Sequence, residues 1–223
     1  MSRSEIVFAT TNRTKRTVFQ YAWENAGLHE LYELKMLTDF PEVEFPDIPE
    51  DSGTFAGDAL TKAVTYAELL NLPCIAQDRG FVFDALDWPG TLSKEAFTGD
   101  QHMHYAEGNT WEEKYAIFVE NARKMLEKIE GKDRSMTVVQ GMALAWPGED
   151  PIAEEVRTPG KAHTEVVADI DGPGMFDWFF IPDGHGFTEP MSRQGTQDEV
   201  DQFEAKHFYP VSPRILSRLQ KRA

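Results

Sequence analysis

An apolar run, Ile6-Val7-Phe8-Ala9, breaks at Thr10-Thr11-Asn12-Arg13-Thr14-Lys15, after which Val18, Phe19, Tyr21, Ala22 and Ala26 recur with helical spacing as far as Gly27. A short continuous apolar run bounded by polar turn residues reads as a buried strand, and recurrence every three or four residues as the stripe of an amphipathic helix. Leu31 to Leu37 predicts a second strand, so the chain opens as strand, helix, strand. The acidic, Pro-containing stretch from Asp39 to Ser52 reads as a loop. Phe55, Ala59, Ala63, Tyr66, Ala67 and Leu70 then lie along one face of a helix that carries Lys62. Pro73 to Ala76 predicts a buried strand, Gly80 punctuates a turn with Asp78 in its bend, and Phe81, Val82, Phe83 and Ala85 form a second strand leaving that turn.

From Thr110 to Ile129 the apolar positions Trp111, Tyr115, Phe118, Val119, Ala122, Met125 and Leu126 keep the helical period, which predicts the longest helix of the chain. The second half changes character. Strand-like runs at Met136 to Trp146, Ile152 to Val156, Glu165 to Ile170 and Trp178 to Ile181 are separated by Pro and Gly, so a sheet-rich lobe is expected from the middle and later part of the chain. Pro213 to Leu219 reads as a short closing helix with proline at its first position. No internal repeat, low-complexity segment or linker composition divides the chain, so residues 1–223 are expected to form a single domain.

Composition narrows the partners. The 41% hydrophobic content of the 223 residues suffices for a packed core. Asp and Glu number 38 against 22 Lys and Arg; a formal net charge of −16 does not suit a grip on polyanionic DNA or RNA, so any phosphate site must be local. The single cysteine, Cys74, excludes an intramolecular disulfide, and its place in Leu72-Pro73-Cys74-Ile75-Ala76 favours a buried structural thiol over a nucleophile. No stretch has the length of a membrane helix or the layout of a secretory signal, so a cytoplasmic protein with no membrane partner is expected.

Chemistry enters first where the opening strand ends. A helix N-terminus leaves backbone N–H groups unpaired and carries a partial positive charge, so the hydroxyl, amide and cationic side chains of Thr10, Thr11, Asn12, Arg13 and Lys15 suit an anion such as phosphate. The absence of glycine between Ala9 and Lys15 excludes a Walker spacing, and the plain alternative is a strand-to-helix connection capped by Thr or Asn. Asp78 follows an apolar strand directly, a position where ligands bind in open α/β sheets; an Asx-type turn is its ordinary explanation. Glu50 and Asp51 are candidate metal ligands, although Asp51 or Ser52 equally suits a helix cap before Phe55. Lys62 reads as a snorkelling surface lysine on local evidence, and the pair His102 and His104 has no third ligand near it in sequence.

Taken together, the segments resemble the inosine triphosphate pyrophosphatase family. Phe8 to Lys15 is similar to its apolar strand followed by Thr-x-Asn-x-x-Lys. Glu50 through Lys62, with Gly53-Thr54-Phe55 and Asp58-Ala59-Leu60-Thr61-Lys62-Ala63, resembles its Thr-Phe, Glu-Asn-Ala and Lys-Ala segment. Leu72 to Leu86, followed by Pro89-Gly90, resembles the segment with its Asp-Asp-Ser-Gly turn, and Gly172-Pro173-Gly174-Met175-Phe176-Asp177 stands for Gly-Phe-Gly-Tyr-Asp. Lys206 and Val211-Ser212-Pro213-Arg214 echo a Lys followed by Ser-His-Arg. The resemblance implies a mixed α/β fold with an elongated sheet, flanking helices and two lobes around a central nucleotide cleft, paired as a homodimer.

It also implies a task for each residue: hydrolysis of a purine or non-standard purine nucleoside triphosphate to monophosphate and pyrophosphate. Thr10 to Lys15 would hold the triphosphate with Lys62 assisting, and Glu50 and Asp78 would bind Mg²⁺. Asp78 would also deprotonate the attacking water. Phe176 would stack on the base, a contact worth roughly 1–3 kcal/mol, and Asp177, Lys206 and Arg214 would read its edge. Three departures fall inside the motifs. Gln77-Asp78-Arg79-Gly80 replaces Asp-Asp-Ser-Gly, removing a carboxylate and adding at Arg79 a fixed cation able to clamp phosphate or to stand where a metal would. Pro213 replaces the histidine, and Ser93-Lys94 replaces Ser-Ala-Arg. A catalytically silent nucleotide-binding or sensing protein is the alternative that Gln77 and Arg79 motivate, and an orthophosphate-releasing phosphatase is a third.

Overall fold

A computed structural model of the chain describes residues 3–99, 110–167, 178–184 and 196–223. Phe176, Asp177, His102 and His104 lie outside the described residues, and of Arg13 only the backbone is described. The described residues form a mixed α/β fold in two compact units. The first is drawn from Met1–Arg79, Gln140–Val156 and Asp201–Ala223, and the second from Gly80–Val139 and Arg157–Val200.

In the first unit, β1 (Ser4–Phe8), α1 (Arg13–Asn25), β2 (Tyr32–Met36) and α2 (Phe55–Leu70) lead to β3 (Cys74–Phe83), which continues past the unit's boundary. β1 pairs in parallel with β2 from Ser4↔Tyr32 to Phe8↔Met36, and with β3 at Val7↔Cys74 and Phe8↔Ile75. Parallel strands need crossover helices that cover their faces, which is why the buried part of β1, Ile6 to Phe8, reads as a continuous apolar run. Under α1 the rings of Phe8 and Phe19 stack at 3.9 Å, and Trp23 and Tyr32 continue the series. α2 contributes its small face, Ala59, Ala63 and Ala67, to a core with Val7, Cys74, Ala76, Ala143 and Ala145. The close approach is tightest at Gly141, where a Cβ would overlap the backbone of Phe55 and Ala56. Asn71 ends α2 in the left-handed conformation at φ 51, its N–H returning to the Ala67 carbonyl.

The second unit holds the end of β3, β4 (Trp88–Gly90), α3 (Ser93–Thr98), α4 (Trp111–Lys128), and parts of β5 (Ser135–Ala145) and β6 (Ile152–Ala162), with β7 (Phe180–Pro182). β3 pairs antiparallel with β4 from Phe81↔Gly90 to Phe83↔Trp88, and β6 with β7 from Gly160↔Pro182 to Ala162↔Phe180. Phe81, Phe83, Phe97 and Phe179 pack ring against ring, with centroids 5.2 to 6.1 Å apart. Two further helices, α5 (Gln197–His207) and α6 (Pro213–Gln220), close the chain, α6 capped by the Ser212 side chain with Pro213 at its first position.

Three expectations are corrected. Gly80 makes no turn: Cys74 to Phe83 is one ten-residue strand, and Asp78 sits within it rather than in a bend. The polar stretch that resembled a turn is where β3 changes partner, from β1 through Ile75 to β4 from Phe81, so residues 76–80 belong to neither ladder. The strand expected at Glu165 to Ile170 is not formed by residues 165–167, and residues 168–170 lie outside the described part. β6 runs through Pro159 to Ala162 instead of stopping at Val156. The short helix α3 and the polar helix α5 had no apolar stripe long enough to announce them.

Candidate active site

The site is assembled at the C-terminal end of β1, inside the first unit. As β1 ends, the Ala9 N–H donates to the Ile75 carbonyl at 2.8 Å, fastening the chain to β3 just before it turns. The Asn12 N–H then donates to Thr10 Oγ1 at 3.1 Å, and Asn12 Oδ1 accepts the Lys15 N–H at 3.2 Å. Asn12 is therefore the N-cap of α1, which settles the choice between Thr and Asn. Its cap aims the first turn so that the Lys15 side chain descends toward β3.

There Lys15 Nζ lies 3.9 Å from Asp78 Oδ1, and Lys62 Nζ, coming from α2, lies 3.6 Å from the same oxygen. Lys62 also donates a hydrogen bond to Glu50 Oε1. Four side chains from four separate segments thus converge on one point. Lys62 and Asp78 are each 14% exposed whereas Glu50 is 44% exposed, so the group is closed at its base and open at the Glu50 side.

Burial sets the protonation behaviour. It pulls the Lys15 pKa down to about 8; Asp78 opposes the fall, while the positive charges of Arg79 and Lys62 add to it. Burial works against the charge on Lys62 as well, but Asp78 and the hydrogen-bonded Glu50 outweigh it and its pKa is raised. The Asp78 carboxyl is pushed up by burial, against the pull of the two lysines, with Glu50 and Asp58 adding to the rise. A carboxylate whose pKa is lifted while it stays beside cations suits proton abstraction.

The other expected residues fall into distinct places. Arg79 follows Asp78 along the strand and so points to the opposite face, where its guanidinium lies over the Tyr209 ring at 4.3 Å; its charge still reaches Lys15. Lys206 on α5 and Arg214 on α6 are exposed, and among the described residues neither forms an ion pair or hydrogen bond with the Asp78 group. The cap before α2 is neither Asp51 nor Ser52 but Thr54, which accepts the Gly57 N–H at 3.0 Å. Lys62 is no snorkelling surface residue, since it is tied at both sides. Cys74 is buried and its thiol pKa is raised by that burial, so it stays a packing residue. Asp58, 1% exposed, was given no role from the sequence; its signals are its place in the segment resembling Glu-Asn-Ala and a position one helical turn before Lys62.

Among the described residues no group of three His, Cys, Asp or Glu side chains stands ready to hold a metal. Glu50 and Asp78 nevertheless address one positive charge between them, the Lys62 ammonium, and carboxylate oxygens are the donors that a hard divalent cation requires. The pair fits such an ion if phosphate oxygens and water complete its shell.

Known proteins resemble this chain in sequence and in fold. The model of the Ham1 family matches residues 6–199. A dITP/XTP pyrophosphatase of Shouchella clausii is 30% identical over 200 residues, covering 88% of this chain and 89% of the relative. A dITP/XTP pyrophosphatase of Listeria monocytogenes is 30% identical over 180 residues, 81% of this chain and 80% of its own length. Among solved structures, the nucleoside-triphosphatase / dITP/XTP pyrophosphatase of Mycobacterium abscessus aligns with a TM-score of 0.62 at 27% identity over 96% of this chain and 97% of that one. The HAM1 protein of Coxiella burnetii shares the fold, with a TM-score of 0.68 at 21% identity, over 98% and 99%.

Proposed function

This chain belongs to the Ham1 family, and from that premise we propose that it hydrolyses non-standard purine nucleoside triphosphates, of the dITP and XTP kind, to the monophosphate and pyrophosphate. The observation that carries the proposal is the convergence of Lys15, Lys62 and Glu50 on Asp78 at the end of β1. Glu50 and Asp78 would hold a divalent cation, taken as Mg²⁺, which would supply positive charge to the phosphate oxygens. Lys15, the turn from Thr10 to Arg13, and Lys62 hold the polyphosphate and withdraw charge as it develops. Asp78 accepts the proton of the attacking water; a new P–O bond forms as the α–β bridge breaks, and pyrophosphate departs with the bridging oxygen.

Arg79, steadied on Tyr209, adds a positive charge to the same region. Phe176, Asp177, Lys206 and Arg214 form the base end of the reading, on the strength of the motif resemblance, and the homodimer and cytoplasmic setting rest there too. Turnover with Mg²⁺ against a panel of purine triphosphates tests the proposal, with pyrophosphate rather than orthophosphate as the expected product. Tight nucleotide binding with no product would leave the silent nucleotide-binding alternative, which Gln77 and Arg79 motivate.

A further inference from the structure

The loop that presents Glu50 is fixed by contacts that do not involve Glu50 itself. The Ser52 N–H donates to Asp58 Oδ1 at 3.0 Å, from a carboxylate that is 1% exposed. Ser52 Oγ donates to the Thr54 carbonyl at 2.8 Å, and Thr54 caps α2. Gly57 supplies the room: a Cβ there would overlap Ser52 Oγ, and would stand 2.7 Å from Ser52 Cβ and 2.8 Å from Thr54 Oγ1. Two independent features of the first turn of α2 therefore pin Ser52, two residues from Glu50. The same helix carries Lys62 one turn further on, so one rigid element sets both the ammonium and its carboxylate partner.

Asp58 Oδ2 has no hydrogen-bond partner among the described residues. A buried carboxylate kept with one oxygen unsatisfied is a costly way to fill space, which points to its paired oxygen as the reason for its presence. We propose that Asp58 is a positioning residue: it anchors the Ser52 amide so that Glu50 meets Asp78 around one divalent cation. This rests on the pyrophosphatase reading above and names a residue which that reading does not use.

The test titrates Mg²⁺ calorimetrically into the full chain with an α,β-methylene purine triphosphate present, alongside hydrogen exchange at the Ser52 amide. Asp58→Asn keeps an oxygen for the Ser52 N–H, and Asp58→Ala removes it. Expected are a loss of Mg²⁺ affinity of about tenfold in Asp58→Ala, a change within about threefold in Asp58→Asn, and Ser52 exchange accelerated only in the former. Unchanged Mg²⁺ affinity in Asp58→Ala overturns the proposal, as does equal damage from Asp58→Asn. Should Asp58→Ala fail to fold, Gly57→Ala decides, because it displaces Ser52 while leaving Asp58 intact: weakened Mg²⁺ binding supports the proposal and parent-like binding rejects it. A parent protein that binds no Mg²⁺ and releases no pyrophosphate sinks the underlying reading, and this inference with it, before any variant is made.

Discussion

The two halves of β3 are built of different material. From Gln77 to Arg79 the strand carries an amide, a carboxylate and a guanidinium, and Asp78 is enclosed by cations whose pKa values it shifts. From Phe81 to Phe83 it carries aromatic rings with no exposed surface, packed against Phe97 and Phe179. In the aromatic half stabilisation is spread over many weak, mutually replaceable contacts. In the charged half it is concentrated in a few coupled groups, where losing one partner changes the protonation of the others. One continuous strand thereby packs rings at one end and gathers coupled charges at the other, and substitutions in the two halves are expected to fail in different ways.

The largest expected effect lies in the aromatic half. Phe81→Ala is expected to lose about 3–5 kcal/mol of unfolding free energy in denaturant titration, with the kinetic constants of the folded fraction unchanged. A fall in turnover without loss of stability would erase the contrast. Next, Asp78→Asn is expected to lower turnover by about a hundredfold or more while nucleotide affinity stays within about tenfold, as for a lost general base. Undiminished turnover in that variant would remove Asp78 from its role.

Lys15 gives a smaller, pH-dependent effect. It is charged below its pKa of about 8 and neutral above it, so kcat/KM for an anionic triphosphate should fall on the alkaline side with that midpoint. Lys15→Met should flatten this limb and lower kcat/KM by about tenfold near neutrality, the equivalent of about 1.4 kcal/mol. The linked stability has the opposite sense. An unfolded lysine keeps its proton to about 10.5, so between those two values the unfolded chain holds more protons and Lys15's contribution to stability rises with pH. A pH profile unchanged by Lys15→Met would show that the limb belongs to another group. The smallest expected effect is at Arg79, where substitution by Gln should cost only about threefold to tenfold in kcat/KM, because its guanidinium lies on the Tyr209 ring and not against Asp78.

How far the sequence could be read follows from the range of the forces involved. The stripes of α1, α2 and α4 recur within one turn to the next, so their existence was legible residue by residue, as was the run that became β1. The Thr54 cap was hidden because Asp51, Ser52 and Thr54 are all competent capping residues, and only the backbone path selects one. Gly80 misled for a related reason: glycine beside polar residues marks turns, yet here β3 remains extended while it changes from β1 to β4. α5, mostly polar, lacked the contrast that periodicity needs. Asp58 looked like one more acidic residue in a chain with 38 of them, until its burial set it apart, with Asp201 and Glu204, from the exposed majority.

By itself the sequence determined the alternation of helices and strands, the absence of a charge suited to nucleic acid, and the ordered motifs that mark the family, because propensity, net charge and motif order are local or additive properties of the chain. Only the tertiary structure decided that Asp78 stands within a strand, that Lys15 and Lys62 reach it from separate helices, and that Asp58 holds the loop bearing Glu50. The ion pairs at Asp78 join residues far apart in sequence, Asp58 reaches Ser52 only once the loop has turned back on α2, and the charges so gathered take their behaviour from burial, which exists only once the chain has folded.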